Sequence, residues 1–201
     1  MIPVELRTTR LVLNQPIAAD IDACTAFCQD PIFEQMMMTP WPYERSDAEE
    51  FLLKYVPEAW QSGQELSWAI RLADHPDQLI GMIGLRRERC EIGYWVGSPF
   101  RGMGIVPEAA TEVLRWNRET GAIPEPINWR CVVGNIASAR AARAAGFRFR
   151  GFGIGADRAG TEPAWLGDFG NPEPGLPWPS EVDGPAEAQP TAAGVVEPGK
   201  P

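Results

Sequence analysis

A chain of 201 residues, 44% of them hydrophobic and eight of them tryptophan, is long enough to bury a full core. Its formal net charge of -9 argues against a nucleic-acid partner, because phosphate backbones recruit surplus Lys and Arg. A mildly acidic surface is compatible with a cationic or amine-bearing substrate, although net charge also serves solubility alone.

The composition changes at Asn171, after which prolines recur every few residues and little is left to bury. Residues 1–170 read as the folded domain, and 171–201 as an acidic Pro/Gly-rich tail that cannot repay its ordering entropy. Trp178 is its one candidate anchor.

Within the domain, R-L-V-L-N at 10–14 reads as a strand, and Asp20–Gln29 as a helix with Asp20 at its N-cap. A loop with two prolines follows, M-M-M-T-P-W-P-Y-E-R. Ser46 and Glu49 then form a capping box for a helix running to about Gln61, which Pro57 should kink or divide. Leu66–Leu72, Gln78–Leu85 and C-E-I-G-Y-W-V at 90–96 are three strands joined by short links, which implies an antiparallel meander.

Beyond them the connections lengthen. A helix covers roughly Gly104–Glu119, with Ala109, Val113 and Trp116 on one face and Pro107 tolerated in its first turn. N-W-R-C-V-V at 128–133 is a strand, and Ile136–Ala145 an alanine-rich helix with Gly146 as its stop signal. F-R-F-R-G and P-A-W-L-G-D-F complete the set, giving one α/β domain with a mixed sheet and helices on its faces.

Four cysteines (Cys24, Cys28, Cys90, Cys131) and a single histidine, His75 in a D-H-P-D turn, are too scattered for a metal cluster. No metal is expected, and the cysteines read as small core residues of a reduced protein. The start M-I-P-V-E-L-R lacks a charged-then-apolar leader pattern, and no run of about 18 apolar residues occurs. A soluble cytoplasmic monomer or homodimer, with neither membrane nor nucleic acid as partner, is the expectation.

The most specific stretch is Y-W-V-G-S-P-F-R-G-M-G-I-V-P at 94–107. A dinucleotide fingerprint would need glycine at Pro107 and an acidic residue ending a second parallel strand, and a Walker loop would need Gly-Lys-Ser/Thr. Both are missing. What remains is Arg101-Gly102-Met103-Gly104-Ile105 leading into a helix N-terminus, where free N–H groups and the positive dipole end favour an anion by about 0.3–2 kcal/mol. The glycines let a diphosphate approach the backbone, and Arg101 adds charge.

R-L-V-L, D-P-I-F-E-Q-M-M, I-G-M-I-G-L, E-I-G-Y-W-V, R-G-M-G-I-V-P-E-A and N-I-A-S-A-R-A-A-R-A-A-G-F occur in order across residues 5–170. This set resembles the ribosomal-protein alanine N-acetyltransferase branch of the GNAT superfamily. The resemblance implies a mixed, mostly antiparallel sheet of about seven strands with a splayed strand pair. It implies acetyl-CoA as co-substrate, with its pyrophosphate on the amides of Arg101, Gly102, Met103, Gly104 and Ile105. Its pantetheine would lie along Tyr94, Trp95 and Val96, contacting Asn135, with Ser138 near the sulfur as a hydrogen-bond donor. The acceptor would be a primary amine, such as a protein N-terminus or a small molecule (an aminoglycoside, polyamine or amino-acid analogue). A coenzyme A-binding sensor without catalysis is the alternative.

The sequence departs from the superfamily at Ala142, where many members carry a tyrosine acid, and at Ala144, where the alanine branch usually carries lysine. Ser138 or an ordered water must then protonate the thiolate. For the base, strand parity places Glu91 beside Gly93 and Trp95 on one face, directed to the cleft, with Glu34 and Glu44 as further contributors. Glu108 is disfavoured beside a diphosphate. Trp41 and Tyr43 are candidates for a substrate wall, whereas Met36–Met38 read more readily as core.

Overall fold

Residues 1–155 and 160–183 are described by the structure, a computed structural model. The strands are β1 (Leu6–Arg7), β2 (Leu11–Asn14), β3 (Glu65–Leu72), β4 (Gly81–Arg86), β5 (Glu91–Val96), β6 (Ile127–Val132), β7 (Arg148–Ile154) and β8 (Pro163–Phe169). They form one sheet in the order β1-β2-β3-β4-β5-β6-β8-β7. Eight strands replace the expected seven because β1 contributes only two residues, paired with Leu13 and Val12, too few to leave a period in the sequence.

The helices are α1 (Ile21–Cys28), α2 (Ile32–Met36), α3 (Arg45–Glu50), α4 (Val56–Ser62), α5 (Ile105–Thr120), α6 (Ile136–Ala144) and α7 (Ser180–Asp183). The capping residues of α3 are Glu44 and Asp47, two positions before the expected Ser46–Glu49 pair. A wide π turn at Phe51–Tyr55 joins α3 to α4. Pro57 therefore sits in the first turn of a renewed helix, where its missing N–H costs nothing, and Gly63 (φ 72°) ends that helix.

Directly opposed residues share a face of the sheet. Trp68, Ile83 and Tyr94 point to one side, where Trp68 packs on Trp60 and on Trp116 of α5. Ala69, Met82 and Trp95 point to the other, where Trp95 meets Phe27 of α1 and Phe33 of α2 edge-on.

Asp20 does more than start α1, and no side-chain cap bond forms there. Its carboxylate accepts two hydrogen bonds from Arg71, at 2.9 and 2.6 Å, and one from the Ile17 backbone N–H, with both side chains about 1% exposed. Arg71 also donates to Asn14. The pair locks the entry of α1 onto β2 and β3, and so fixes the helices that cover the α1 side of β5.

The chain beyond 170 follows the expected boundary only in part. Leu176 N–H donates to Phe149 at 2.8 Å, Trp178 stacks on Phe149 and Trp129, and Val182 of α7 is 2% exposed. Pro172, Pro174, Pro177 and Pro179 preset an extended backbone, which lowers the entropy cost of laying residues 171–183 on the domain. The remainder of the expected tail, 184–201, lies outside the described residues.

Replacing one member of a buried ion pair strands the other charge. Asp20→Ala should lose about 3–5 kcal/mol in urea unfolding, whereas breaking the exposed Lys54–Glu50 pair by Glu50→Ala should leave the urea midpoint nearly unchanged.

Candidate active site

Among the described residues, β5 and β6 are the one parallel neighbour pair, and they are in register only at Glu91 and Asn128. Past that point the strands part. Gly97 N–H donates to Ile80 on the β4 side, so by alternation the N–H and C=O of Tyr94 and Val96 face the parting. Main-chain groups in the middle of a sheet are thus left open, as pairing with an inserted extended ligand requires.

The mouth of the parting leads to residues 101–105. Gly102 and Gly104 adopt φ of 75° and 73°, a left-handed backbone that glycine supplies without strain. Among the described residues, none accepts a hydrogen bond from the N–H of Gly102, Met103 or Gly104, and α5 has no side-chain cap. A β-carbon on Gly102 would meet nothing within 4 Å, so the space before it is empty of protein. Successive free amides at the head of a 16-residue helix fit a diphosphate.

Two side chains of this loop behave differently from the sequence expectation. Arg101 is ion-paired with Asp30 at 2.8 Å, so its charge is shared rather than fully displayed. Arg10, read from the sequence only as a strand start, donates to the carbonyls of Met103 and Gly104 at 3.1 and 3.4 Å and to Glu108 at 2.6 Å. It thereby occupies the loop carbonyls and neutralises the acid beside the anion site. Burial pushes the Glu108 carboxyl up, but hydrogen bonds from Thr8 and Arg10 outweigh it and hold the group below the usual range. Only the opening R of R-L-V-L signals this role.

On the α5 side of the sheet, Tyr94 reaches α6. Its hydroxyl donates to the Ser138 carbonyl at 2.9 Å and accepts from Ser138 Oγ at 3.3 Å, and that Oγ accepts from Trp129 Nε1 at 3.2 Å. Asn135 caps α6 by accepting from the Ser138 N–H at 3.1 Å, and among the described residues its Nδ2 has no partner. Burial pushes the Tyr94 phenol well above its ordinary range and the neighbouring Cys131 thiol up to about 12. This side of the parting is a neutral group of hydroxyls and thiol.

The α1 side is ionic. Glu91 lies on the Trp95 face, as strand parity predicts, but its carboxylate is not free. Arg86 donates to Oε1 at 3.4 Å, and Arg130 Nε lies 2.9 Å from Oε2 without the alignment of a hydrogen bond. Glu65 extends the group by accepting from Arg86, Tyr55 and Ser67. Gly84 and Gly93 leave room for it, since a β-carbon on Gly84 would come within 2.5 Å of Ser67 Oγ and one on Gly93 within 3.2 Å of Arg86. Burial raises the Glu91 carboxyl, with Arg86 opposing.

The remaining candidates separate. Trp95 is wedged between Phe27 and Phe33 and its N–H and C=O turn to β4, which leaves the backbone of Tyr94 and Val96 to serve a ligand. The expected wall residue Tyr43 is 4% exposed with its hydroxyl 3.8 Å from Cys24 Sγ, a core position that excludes substrate contact. A tyrosine just after two loop prolines carries no sign of which way it turns. Trp41 is half-buried against the same core. Met36 packs on Val132 and Leu166 while its helix rests on Trp95 through Phe33, so α2 roofs the parting between β5 and β6.

The model of the GNAT acetyltransferase domain matches residues 10–148. This chain belongs to the GNAT acetyltransferase family. It is an acetyl-CoA-dependent N-acetyltransferase. No curated protein matches it in sequence. Among solved structures, the microcin C7 self-immunity acetyltransferase MccE, in complex with acetyl-CoA and AMP, superposes with a TM-score of 0.68 at 21% identity, covering 81% of this chain and 93% of that one. The Salmonella typhimurium enzyme that modifies the N-terminal serine of the 50S subunit protein L7/L12 gives 0.70 at 16%, covering 83% and 98%. Mycobacterium smegmatis RimJ, in complex with a CoA-disulfide, gives 0.66 at 18%, covering 83% and 86%. These likenesses establish the fold. Among the described residues, no helix is long and apolar enough to cross a membrane.

Arg101→Glu should weaken coenzyme A binding by about tenfold or more in calorimetry, since it places a carboxylate against the diphosphate. Asp30→Asn, which releases Arg101, should tighten it by about two- to fivefold. Unchanged affinity in both would remove Arg101 from the site.

Proposed function

We propose that this acetyltransferase acts on a protein N-terminal α-amine, by direct attack of the bound amine within a ternary complex. The observation that carries the reading is the state of Glu91, the carboxylate where the strands part, which is held between Arg86 and Arg130. Burial raises this carboxyl, but with both oxygens facing arginines it has no free oxygen to take a proton directly from a bound amine. An α-amine of pKa 7.7–8.0 is already about 10–17% neutral at pH 7, against about 0.04% for a lysine near 10.4, so it needs little help to lose its proton.

Bound acetyl-CoA supplies the acetyl group as a thioester. The free N–H groups of Tyr94 and Val96 are placed to meet developing negative charge on an oxygen in the parting. Ser138 is the proton donor for the departing sulfur: its Oγ accepts from Trp129, and its hydrogen, given to the Tyr94 hydroxyl at 3.3 Å in the ligand-free protein, turns to the sulfur and is replaced through water. Glu91 receives the amine's proton through water. Cys131 does not carry the acetyl group in a two-step route: with its thiol pushed up to about 12, roughly one in 10⁴ is ionised at pH 8.

Thiol release measured with matched peptides should be at least about 100-fold faster for a free N-terminus than for an N-blocked peptide with one lysine. The reverse order would point to a small-molecule or lysine acceptor. Ser138→Ala should lower kcat by about 10²-fold with the KM for acetyl-CoA changed less than about threefold. Glu91→Gln should be most impaired near pH 6 and recover toward pH 8.5, because the neutral amine fraction rises as the base becomes dispensable. A pH-independent defect would remove Glu91 as base.

A further inference from the structure

The Ser138 hydroxyl is held from behind by a chain of contacts that ends outside the family-matched residues. Trp129 Nε1, which can only donate, gives its hydrogen to Ser138 Oγ at 3.2 Å. The Trp129 indole stands opposite Gly167 in register, and a β-carbon there would come within 3.1 Å of its Cε3. The ring therefore lies over bare backbone of β8, with no side chain from that strand to wall it in. The wall is Trp178, whose ring centroid is 5.9 Å from Trp129 and 5.5 Å from Phe149.

Trp178 is anchored on both sides. Toward β7, Leu176 N–H donates to Phe149 at 2.8 Å and Arg150 donates to the Pro174 carbonyl at 2.9 Å. Toward α6, Arg140 donates to the Val182 and Glu181 carbonyls at 3.2 and 3.0 Å, and Arg143 pairs with Asp183. Residues 171–183 thus strap the sheet to the helix that carries both Asn135 and Ser138. We propose that Trp178 is a positioning residue for acetyl transfer: by clamping the Trp129 indole it aims the N–H that orients the Ser138 hydroxyl. The proposal rests on Ser138 being the proton donor. It makes the segment after the last strand part of the active-site support rather than a tail.

The test uses full-length Trp178→Ala, Trp178→Phe, Trp129→Phe, the Trp178→Ala/Trp129→Phe double variant and Ser138→Ala, with Trp178→Leu keeping the apolar plug should the alanine variant not fold. In the ligand-free protein, the Trp129 indole N–H resonance is identified by its loss in Trp129→Phe. It should move in Ser138→Ala and Trp178→Ala and stay in place in Trp178→Phe. Per coenzyme A-binding site counted by calorimetry, kcat should fall about three- to tenfold in Trp178→Ala, with the KM for acetyl-CoA within twofold, and recover in Trp178→Phe. The double variant should be no slower than Trp129→Phe, because both changes remove one directed N–H.

An unmoved Trp129 resonance in Trp178→Ala, an unchanged kcat per site, or losses that multiply in the double variant would each overturn the proposal. Full activity in Ser138→Ala would remove the donor reading and this proposal with it. A Ser138→Ala defect beside an unaffected Trp178→Ala would overturn the positioning role alone.

Discussion

Everything else in this molecule depends on two neighbouring strands that touch once and separate. β5 and β6 share a single parallel pair at Glu91 and Asn128, and each then follows its own antiparallel partner. Open N–H and C=O groups in the middle of a sheet are costly in an apolar setting. They persist here because each strand is held elsewhere: β5 along all six residues of β4, and β6 along β8. α2 spans the parting on one side, with Phe33 on β5 and Met36 on β6 and β8, and the Tyr94–Ser138 contact spans it on the other. The opening is a rigid feature of the packing rather than a local failure of pairing.

The two sides of that opening carry different chemistry. Toward α1 lie Glu65, Arg86, Glu91 and Arg130, charged and mutually paired. Toward α5 and α6 lie Tyr94, Ser138, Cys131 and Trp129, uncharged and hydrogen-bonded. On the proposed reading, an amine gives up its proton toward the first side. A departing sulfur that needs one proton is matched to the second, where low polarity strengthens each hydrogen bond. On the proposed reading the reaction runs from the charged side to the neutral one, and the sheet keeps the two groups of residues apart.

Local pattern made the loop legible. Arg-Gly-Met-Gly before an amphipathic helix predicts a free helix N-terminus, and the structure shows left-handed glycines and unclaimed amides there. The meander, α5 and α6 were legible for the same reason, since each is defined by a period or a stop signal close in the chain. Glu91 was legible as to face, because strand parity sets which side a residue takes. Its two arginine partners were not, since Arg130 lies on a strand that pairs with it only through the parallel crossover. Tyr43 reads as a loop aromatic, and its burial against Cys24 is decided by where α1 and α3 meet. The role of Arg10 and the partner of Trp178, itself legible as an anchor, escaped for a related reason: each acts on a residue far away in the chain, and neither position has a periodic signal.

The sequence by itself determined the element types, the glycine turn before α5 and the family, because these rest on short-range spacing and on the order of motifs. Tertiary structure alone decided which charges are already paired, which tyrosine turns inward, and how residues 171–183 reach back to α6. Those outcomes depend on contacts between segments that only the closed sheet brings together, and no local period encodes them.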